Sequence, residues 1–356
     1  MYSKILPFNK VLINKDLKLT KWIIWFVIFG LFFSITLGVI STYRDFKQFL
    51  NRAEERPEDF DSSYIERRKG HIKESLEYRF KYLAGLEHYI IVLFPIAVTA
   101  LLFGEEKRRK TLEMLAAMPF SRYEIFFNKI IIAFINVFLP YLINALIMIV
   151  ALGLSKGLGD FYTINMVMAW FGMNLYRLFV MLTFSLFFAS LTGTSISHIV
   201  LTLIFFVFPI GFAGLVNWNL SEWGYFPTHI YSFLFESNLA YYTVPSILVN
   251  STSRVGPAIY YQIIRGIVLL FISKILFEKN KLERSGETLE FESIETFFKF
   301  GVAICTSLLF GLIFKEMGEE IIHTSSNIFM ILGYIVGLAF GWFVSNLSIR
   351  LNRAKV

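Results

Sequence analysis

Residues 103–129 read FGEEKRRKTLEMLAAMPFSRYEIFFNK, and apolar runs lie close on both sides of them, at 86–103 and 129–152. A helix needs about 20 mostly apolar residues to cross the hydrocarbon of a bilayer. Both flanking runs come near or exceed that length, so the charged patch marks a place where the chain leaves the membrane. The same pattern recurs along all 356 residues, with further apolar runs near 22–41, 163–190, 197–217, 257–277, 299–315 and 324–346. Of these the fourth span, 163–190, is long enough to tilt or to hold an irregular turn, and the seventh, 299–315, is short. The expected fold class is therefore all-α, a polytopic α-helical membrane protein of about eight transmembrane helices. Composition agrees. The chain is 56% hydrophobic and only 17% charged, with a mean hydropathy of +0.59, where a soluble domain would be nearer a quarter charged.

Cys305, the single cysteine, excludes a disulfide framework or a cysteine metal site. In a chain this apolar the net charge of +7 points to loops facing anionic lipid rather than to nucleic acid. The first 21 residues, MYSKILPFNKVLINKDLKLTK, lack the apolar core and small-residue cleavage site of a signal peptide. The first span is thus expected to stay as an anchor.

Lys and Arg set the orientation. The tail has Lys4, Lys10, Lys15, Lys18 and Lys21, and the patch has Lys107, Arg108, Arg109, Lys110, Arg122 and Lys129. Segment 278–299 adds Lys279, Lys281, Arg284 and Lys299, and the last ten residues, 347–356, add Arg350, Arg353 and Lys355. With eight spans all of these share one side, while the three shorter opposite loops carry only Lys156, Arg254 and Lys315. The positive-inside rule makes the rich side, with both termini, cytoplasmic. Loop 42–85 departs from the contrast with ten basic residues nearly balanced by acids, but loops of that length cross with less regard for charge.

That loop reads as an extracytoplasmic helical hairpin. Phe46, Phe49 and Leu50 repeat at helical spacing before Pro57, and Ile65, Ile72, Leu76, Phe80 and Leu83 form a second apolar stripe. It either meets a substrate or partner, or is a stiff extension of its two spans. In residues 1–21, Leu6, Val11, Leu12, Leu17 and Leu19 among lysines suit a helix lying in the cytoplasmic interface, although a plain basic anchor explains the lysines as well. Loop 218–256 is rich in Trp, Tyr and Phe and too apolar to be freely solvated, so short helices dipping into the outer leaflet are expected, broken near Pro227 and Pro245.

Within the opening stretch, the run EEKRRKTLEMLAAM after Gly104 is rich in helix formers, with Leu112, Leu115 and Ala116 on one face. Pro119 disfavours helical geometry at Met118, and Ser121 with Glu124 has the spacing of a capping box that restarts a helix into the third span. An ordinary positive-inside loop explains Lys107 to Lys110. It gives no reason for Leu112, Met114, Leu115 and Met118, an apolar face that would sink into headgroups or into a partner's groove.

The order Glu105-Glu106-Lys107, Thr111-Leu112-Glu113, Leu115, Pro119, Ser121-Arg122, Glu124-Ile125 and Lys129 resembles the signature of type 2 ABC-exporter permeases. In that family the loop between spans two and three, here 104–128, holds a coupling helix seated in a cleft of a cytoplasmic ATPase. The resemblance implies a docking face of Leu112, Glu113, Leu115, Met118 and Pro119, with Glu105, Glu106, Arg122 and Lys129 as charge fixings. The interfacial N-terminal helix and apolar loop 218–256 follow the family pattern, and linker 278–298 is similar to those of some Gram-positive bacterial permeases. Two spans beyond the usual six, and the 42–85 hairpin, depart from it. The resemblance implies a multi-pass protein of the bacterial plasma membrane that exports an amphipathic or small substrate. Its partners would be cytoplasmic ABC ATPase subunits, a second copy or related permease by symmetry, and membrane lipids.

No G-x-x-x-x-G-K-[ST] phosphate loop occurs, and GLSKGLGD at 153–160 is a short turn. The chain is expected to bind no cofactor and to be no enzyme, with ATP and Mg held by the partner ATPase. His71, His88, His198, His229 and His323 have no ligand spacing, and no serine or cysteine lies in a nucleophile motif. A lipid-modifying enzyme would need a cluster that is absent here. Arg177 in span four and Arg265 in span six are intramembrane charges, which line the transport route or permease seam, or else bond to backbone and snorkel. No span centre holds Asp or Glu, which speaks against proton coupling. A reading from another class is a membrane sensor or anchoring subunit that signals through hairpin 42–85 without transport.

Overall fold

The computed structural model describes residues 8–56, 60–83, 85–109, 111–225, 239–248, 252–280, 284, 286–322 and 327–353. Among them are eight helices long and apolar enough to cross a membrane. The helices are α1 (Lys10–Glu55) and α3 (Glu87–Arg108), α2 (Ser62–Lys81), α4 (Thr111–Ala117), α5 (Arg122–Leu154) and α6 (Ile164–Leu191). They continue with α7 (Ser195–Glu222), α8 (Thr252–Lys279), α9 (Glu292–Ile322) and α10 (Asn327–Arg353). No strand occurs among the described residues. The chain is a polytopic all-α membrane protein.

Three expectations meet a different geometry. No proline lies between Lys10 and Glu55, and the tail, the first span and the first arm of the hairpin form one helix rather than three elements. Asn9 caps its start, with its side chain accepting from the Val11 amide at 2.9 Å. The seventh span is 31 residues long, not short. Of the two expectations for span four, the irregular turn is absent, since the helix is regular throughout. The irregular turns are instead π-turns at Phe32–Thr36 in α1 and Ala100–Gly104 in α3. Such insertions re-aim a helix and carry no composition signal.

The chain divides into two units, the first comprising Met1–Leu102, Glu124–Thr183 and Ile247–Thr252. Its interior holds buried polar side chains bonded to one another and to backbone carbonyls. Asn144 accepts from Thr36 Oγ1 at 2.7 Å and donates to Ile28 O at 3.3 Å and to Pro140 O at 2.9 Å. Thr36 closes the π-turn of α1, so this bond sits where its backbone ladder is disturbed. Trp170 Nε1 donates to Glu87 Oε1 at 2.8 Å, and both side chains are buried. The hairpin is α1 beyond its apolar stretch laid against α2. Phe49 contacts Phe60 and Tyr64 at ring separations of 5.4 and 6.0 Å. Lys69 pairs with Asp160 at 2.8 Å.

The second unit comprises Phe103–Tyr123, Phe184–Ser246 and Ser253–Val356. Its tightest packing joins α9 and α10. Gly333, Gly337 and Gly341 recur every fourth residue along α10, and a Cβ on Gly333 would lie 2.4 Å from Phe310 O. Small residues at this spacing let two helix backbones meet in lipid. Thr306 and Ser307 then bond across, to Gly337 O and Tyr334 O, each at 2.9 Å. In the 218–256 loop, the described part after Trp223–Tyr225 holds 3₁₀ turns at Leu239–Tyr242 and Val244–Leu248, the second containing Pro245. Pro227, like Pro57 in the hairpin, lies outside the described residues.

Candidate functional site

The opening stretch is built in two parts, a base and a tip. At the base, the π-turn of α3 gives way to Glu105–Arg108. Lys107 turns inward from it and is fully buried. Its ammonium donates to Ala189 O and Thr192 O, each at 2.9 Å, and to Glu290 Oε2 at 2.7 Å. The two carbonyls belong to the C-terminal end of α6, where orphan carbonyls and the helix dipole both favour a cation. Asn280 Nδ2 also donates to Glu290. Burial pushes the Glu290 carboxyl above the usual carboxylate range, and the Lys107 charge draws it partly back. Removing one member of such a pair strands the other without water, so both act as one structural unit.

Glycine permits the close approaches around this pair. A Cβ on Gly104 would lie 2.6 Å from Ser195 Cα, which seats the end of α3 against the start of α7. A Cβ on Gly193 would lie 2.5 Å from Glu287 O. At Gly193 the linker before α9 exchanges backbone bonds with the α6–α7 turn, Gly193 N to Glu287 O and Gly286 N to Gly193 O, each 3.1 Å. Glu290 N donates to Leu191 O at 3.0 Å. Leu289 joins Phe188, Leu191 and Leu201 in one apolar cluster, and Arg284 bonds Glu287 and Glu295. The linker is therefore a packed strap and not a solvated tether.

Arg122 fastens the far side of the base. Its Nη1 donates to Glu278 O at 2.8 Å and Asn280 O at 2.6 Å, at the C-terminal end of α8. Phe103 meets Phe277 edge-on at 5.8 Å. Glu105 receives Arg108 at 2.7 Å and Arg109 at 2.6 Å, holding the exposed cations over the base.

The tip is α4 and the turn after it. Thr111 Oγ1 donates to Glu106 O at 3.2 Å, which joins the short helix to the base. The amide of Phe120 donates to Met118 O at 2.7 Å, a tight turn around Pro119. A new helix begins at Arg122, directly after Ser121. Met114 is 65% exposed and Met118 48% exposed, with Pro119 and Ser121 also exposed. Leu115 turns inward and is buried, so it does not share the methionines' face. Leu112 and Glu113 lie on α4, and their side chains are outside the described set.

The remaining sequence-predicted residues lie elsewhere. Glu106 is buried at the base. Glu124 and Lys129 belong to the first unit. There Lys129 is buried, donates to Leu102 O at 2.6 Å and lies 3.7 Å from Asp16. Arg177 is buried inside the first unit with Nη1 3.4 Å from Asn174 Oδ1. Arg265, in the second unit, donates to Tyr242 O at 2.8 Å and braces the 3₁₀ turn. Sequence reading passed over Lys107 as one of a solvated basic run. The signal that could have found it is Glu290, an acid flanked by Leu289 and Phe291. Among the described residues no cluster of His, Cys, Asp or Glu suits a metal.

A family model described as ABC-2 family transporter protein matches residues 17–209, which include stretch 103–129 but not Glu290 or the strap. No curated protein and no solved structure matches the chain.

Proposed function

The chain belongs to the ABC-2 transporter family, and from that membership we propose that it is the permease subunit of an exporter driven by a separate ATPase. The family is a membrane transport component whose members associate with ABC ATPase subunits. The tip at 111–121 is the docking element, and it enters the ATPase from the cytoplasmic side, where the Lys and Arg distribution puts it. One observation carries the reading. Met114, Met118 and Pro119 are exposed on an element whose base is bolted down by Lys107 and Arg122. Flexible, polarisable methionines on a rigid base suit a pocket that opens and closes with nucleotide.

ATP and Mg are held by the ATPase, and closure of its dimer moves the tip. The base passes that motion to α6, α7, α8 and the strap, whose ends it holds. A second permease copy or a related permease completes the assembly by two-fold symmetry. An amphipathic or small molecule is the cargo, and the bacterial plasma membrane is the site of action. The test is to place glutamate at both Met114 and Met118, then measure ATPase co-purification and substrate-stimulated ATP hydrolysis in liposomes. Loss of both with an intact permease supports the reading. Complex and hydrolysis at wild-type level would overturn it.

A further inference from the structure

The hairpin of the first unit has a cleft of about 500 Å³ that the transport reading does not use. Its lining is Thr42 from α1 and Tyr64, Arg67, Arg68, His71, Ile72 and Ser75 from α2. The α2 residues recur at helical spacing on one face. None of the seven is acidic, although the hairpin as a whole carries Glu66, Glu74 and Glu77 close by.

The two arginines are held in place without being neutralised. Arg67 donates from Nε to Ser63 O and from Nη2 to Ser63 Oγ, each at 3.1 Å, leaving Nη1 uncommitted among the described residues. Arg68 stacks over the Phe49 ring, with its guanidinium carbon 4.5 Å from the centroid. Neither has a carboxylate within ion-pair distance among the described residues, whereas Lys69 next to them is taken by Asp160. Lys107, Lys129, Arg108, Arg109, Arg284 and Lys315 elsewhere all have acidic partners. A preorganised guanidinium pair without a carboxylate matches the planar, bidentate geometry of a phosphate. Hydroxyls of Tyr64 and Ser75 and the His71 ring add polar groups on the same helix, and Thr42 adds one from α1. Thr42 directly follows the apolar stretch of α1, so one end of the cleft adjoins that stretch.

We propose that this cleft binds a phosphate-bearing anion, either the headgroup of an anionic phospholipid or a soluble phosphate ester. The arginines grip the phosphate, and Ile72 and Tyr64 pack on the glycerol or carbon skeleton beside it. The hairpin is then a place where the permease recognises charge at the membrane surface.

The test is calorimetric titration of the full-length chain in neutral detergent with dihexanoyl phosphatidylglycerol and, separately, with glycerol 1-phosphate. Saturable binding of at least one probe is expected, and Arg67→Gln with Arg68→Gln should weaken it about tenfold or more, as loss of charge-assisted hydrogen bonds requires. Binding of the lipid alone assigns the headgroup, and equal binding of the free ester assigns a soluble ligand. Ser75→Glu keeps both arginines but adds a carboxylate to the cleft, and should weaken binding to a similar degree even if the double variant folds poorly. Lys73→Gln, an exposed charge that does not line the cleft, should bind as wild type does. No saturable binding of either probe, or unchanged affinity in Ser75→Glu and the double variant, would overturn the proposal.

Discussion

Lys107 and Arg108 are neighbours in the chain with opposite fates. Lys107 is fully buried against Glu290 and the end of α6, while Arg108 is exposed and leans on Glu105. The contrast extends along the stretch, since the base buries Glu106 and Lys107 and the tip leaves Met114 and Met118 exposed. That inverts the ordinary arrangement of a soluble protein, where apolar groups go in and charges stay out. It teaches that the base is fixed by specific partners and the tip is left for a partner outside the chain.

The comparison breaks most severely at the pair itself. Lys107→Met leaves Glu290 buried without its cation, and should cost about 3–5 kcal/mol of stability, read by thermal unfolding of the purified chain. Adding Glu290→Leu to Lys107→Met should recover much of that loss, because two apolar groups leave no charge stranded. No recovery would mean the pair is not a unit. Next come the glycines. Gly193→Ala drives a Cβ toward Glu287 O, and Gly104→Ala drives one toward Ser195 Cα, each into backbone that has no room to give. Each should cost about 1–3 kcal/mol by the same measurement, and the strap should exchange amide hydrogen faster in Gly193→Ala. Arg122→Ala removes a partly exposed cap from two carbonyls and should cost about 1 kcal/mol. Smallest is the tip, where Met114→Gln with Met118→Gln should change stability by no more than about 0.5 kcal/mol, since both side chains are exposed. A large destabilisation there would show that the tip is packed within the chain.

The spans were legible because lipid demands uninterrupted apolar runs, which a sequence displays directly. The break at Pro119 and the restart after Ser121 were legible because proline and capping act within a few residues. The base was not. Lys107 and Glu290 are far apart in sequence, and a buried lysine in EEKRRK looks like the exposed Arg108 and Arg109 until its partner is found. Leu115 was grouped with the methionines by composition, but on so short a helix neighbouring positions point in different directions and only one side faces inward. The π-turns in α1 and α3 were hidden for a further reason. They depend on tertiary contacts such as Thr36 with Asn144, and no local residue type requires them. The continuous helix Lys10–Glu55 was concealed by its changing polarity, which tracks the surroundings and not the backbone.

The central claim is that tip and base do separate jobs, docking and holding. It is tested most directly by carrying Met114→Glu and Met118→Glu on the tagged full-length chain and measuring two quantities on one preparation. These are its melting temperature and the amount of ATP-hydrolysing subunit that co-purifies with it. The account predicts an unchanged melting temperature and loss of the ATPase. An ATPase retained at wild-type stoichiometry on a folded chain would contradict it.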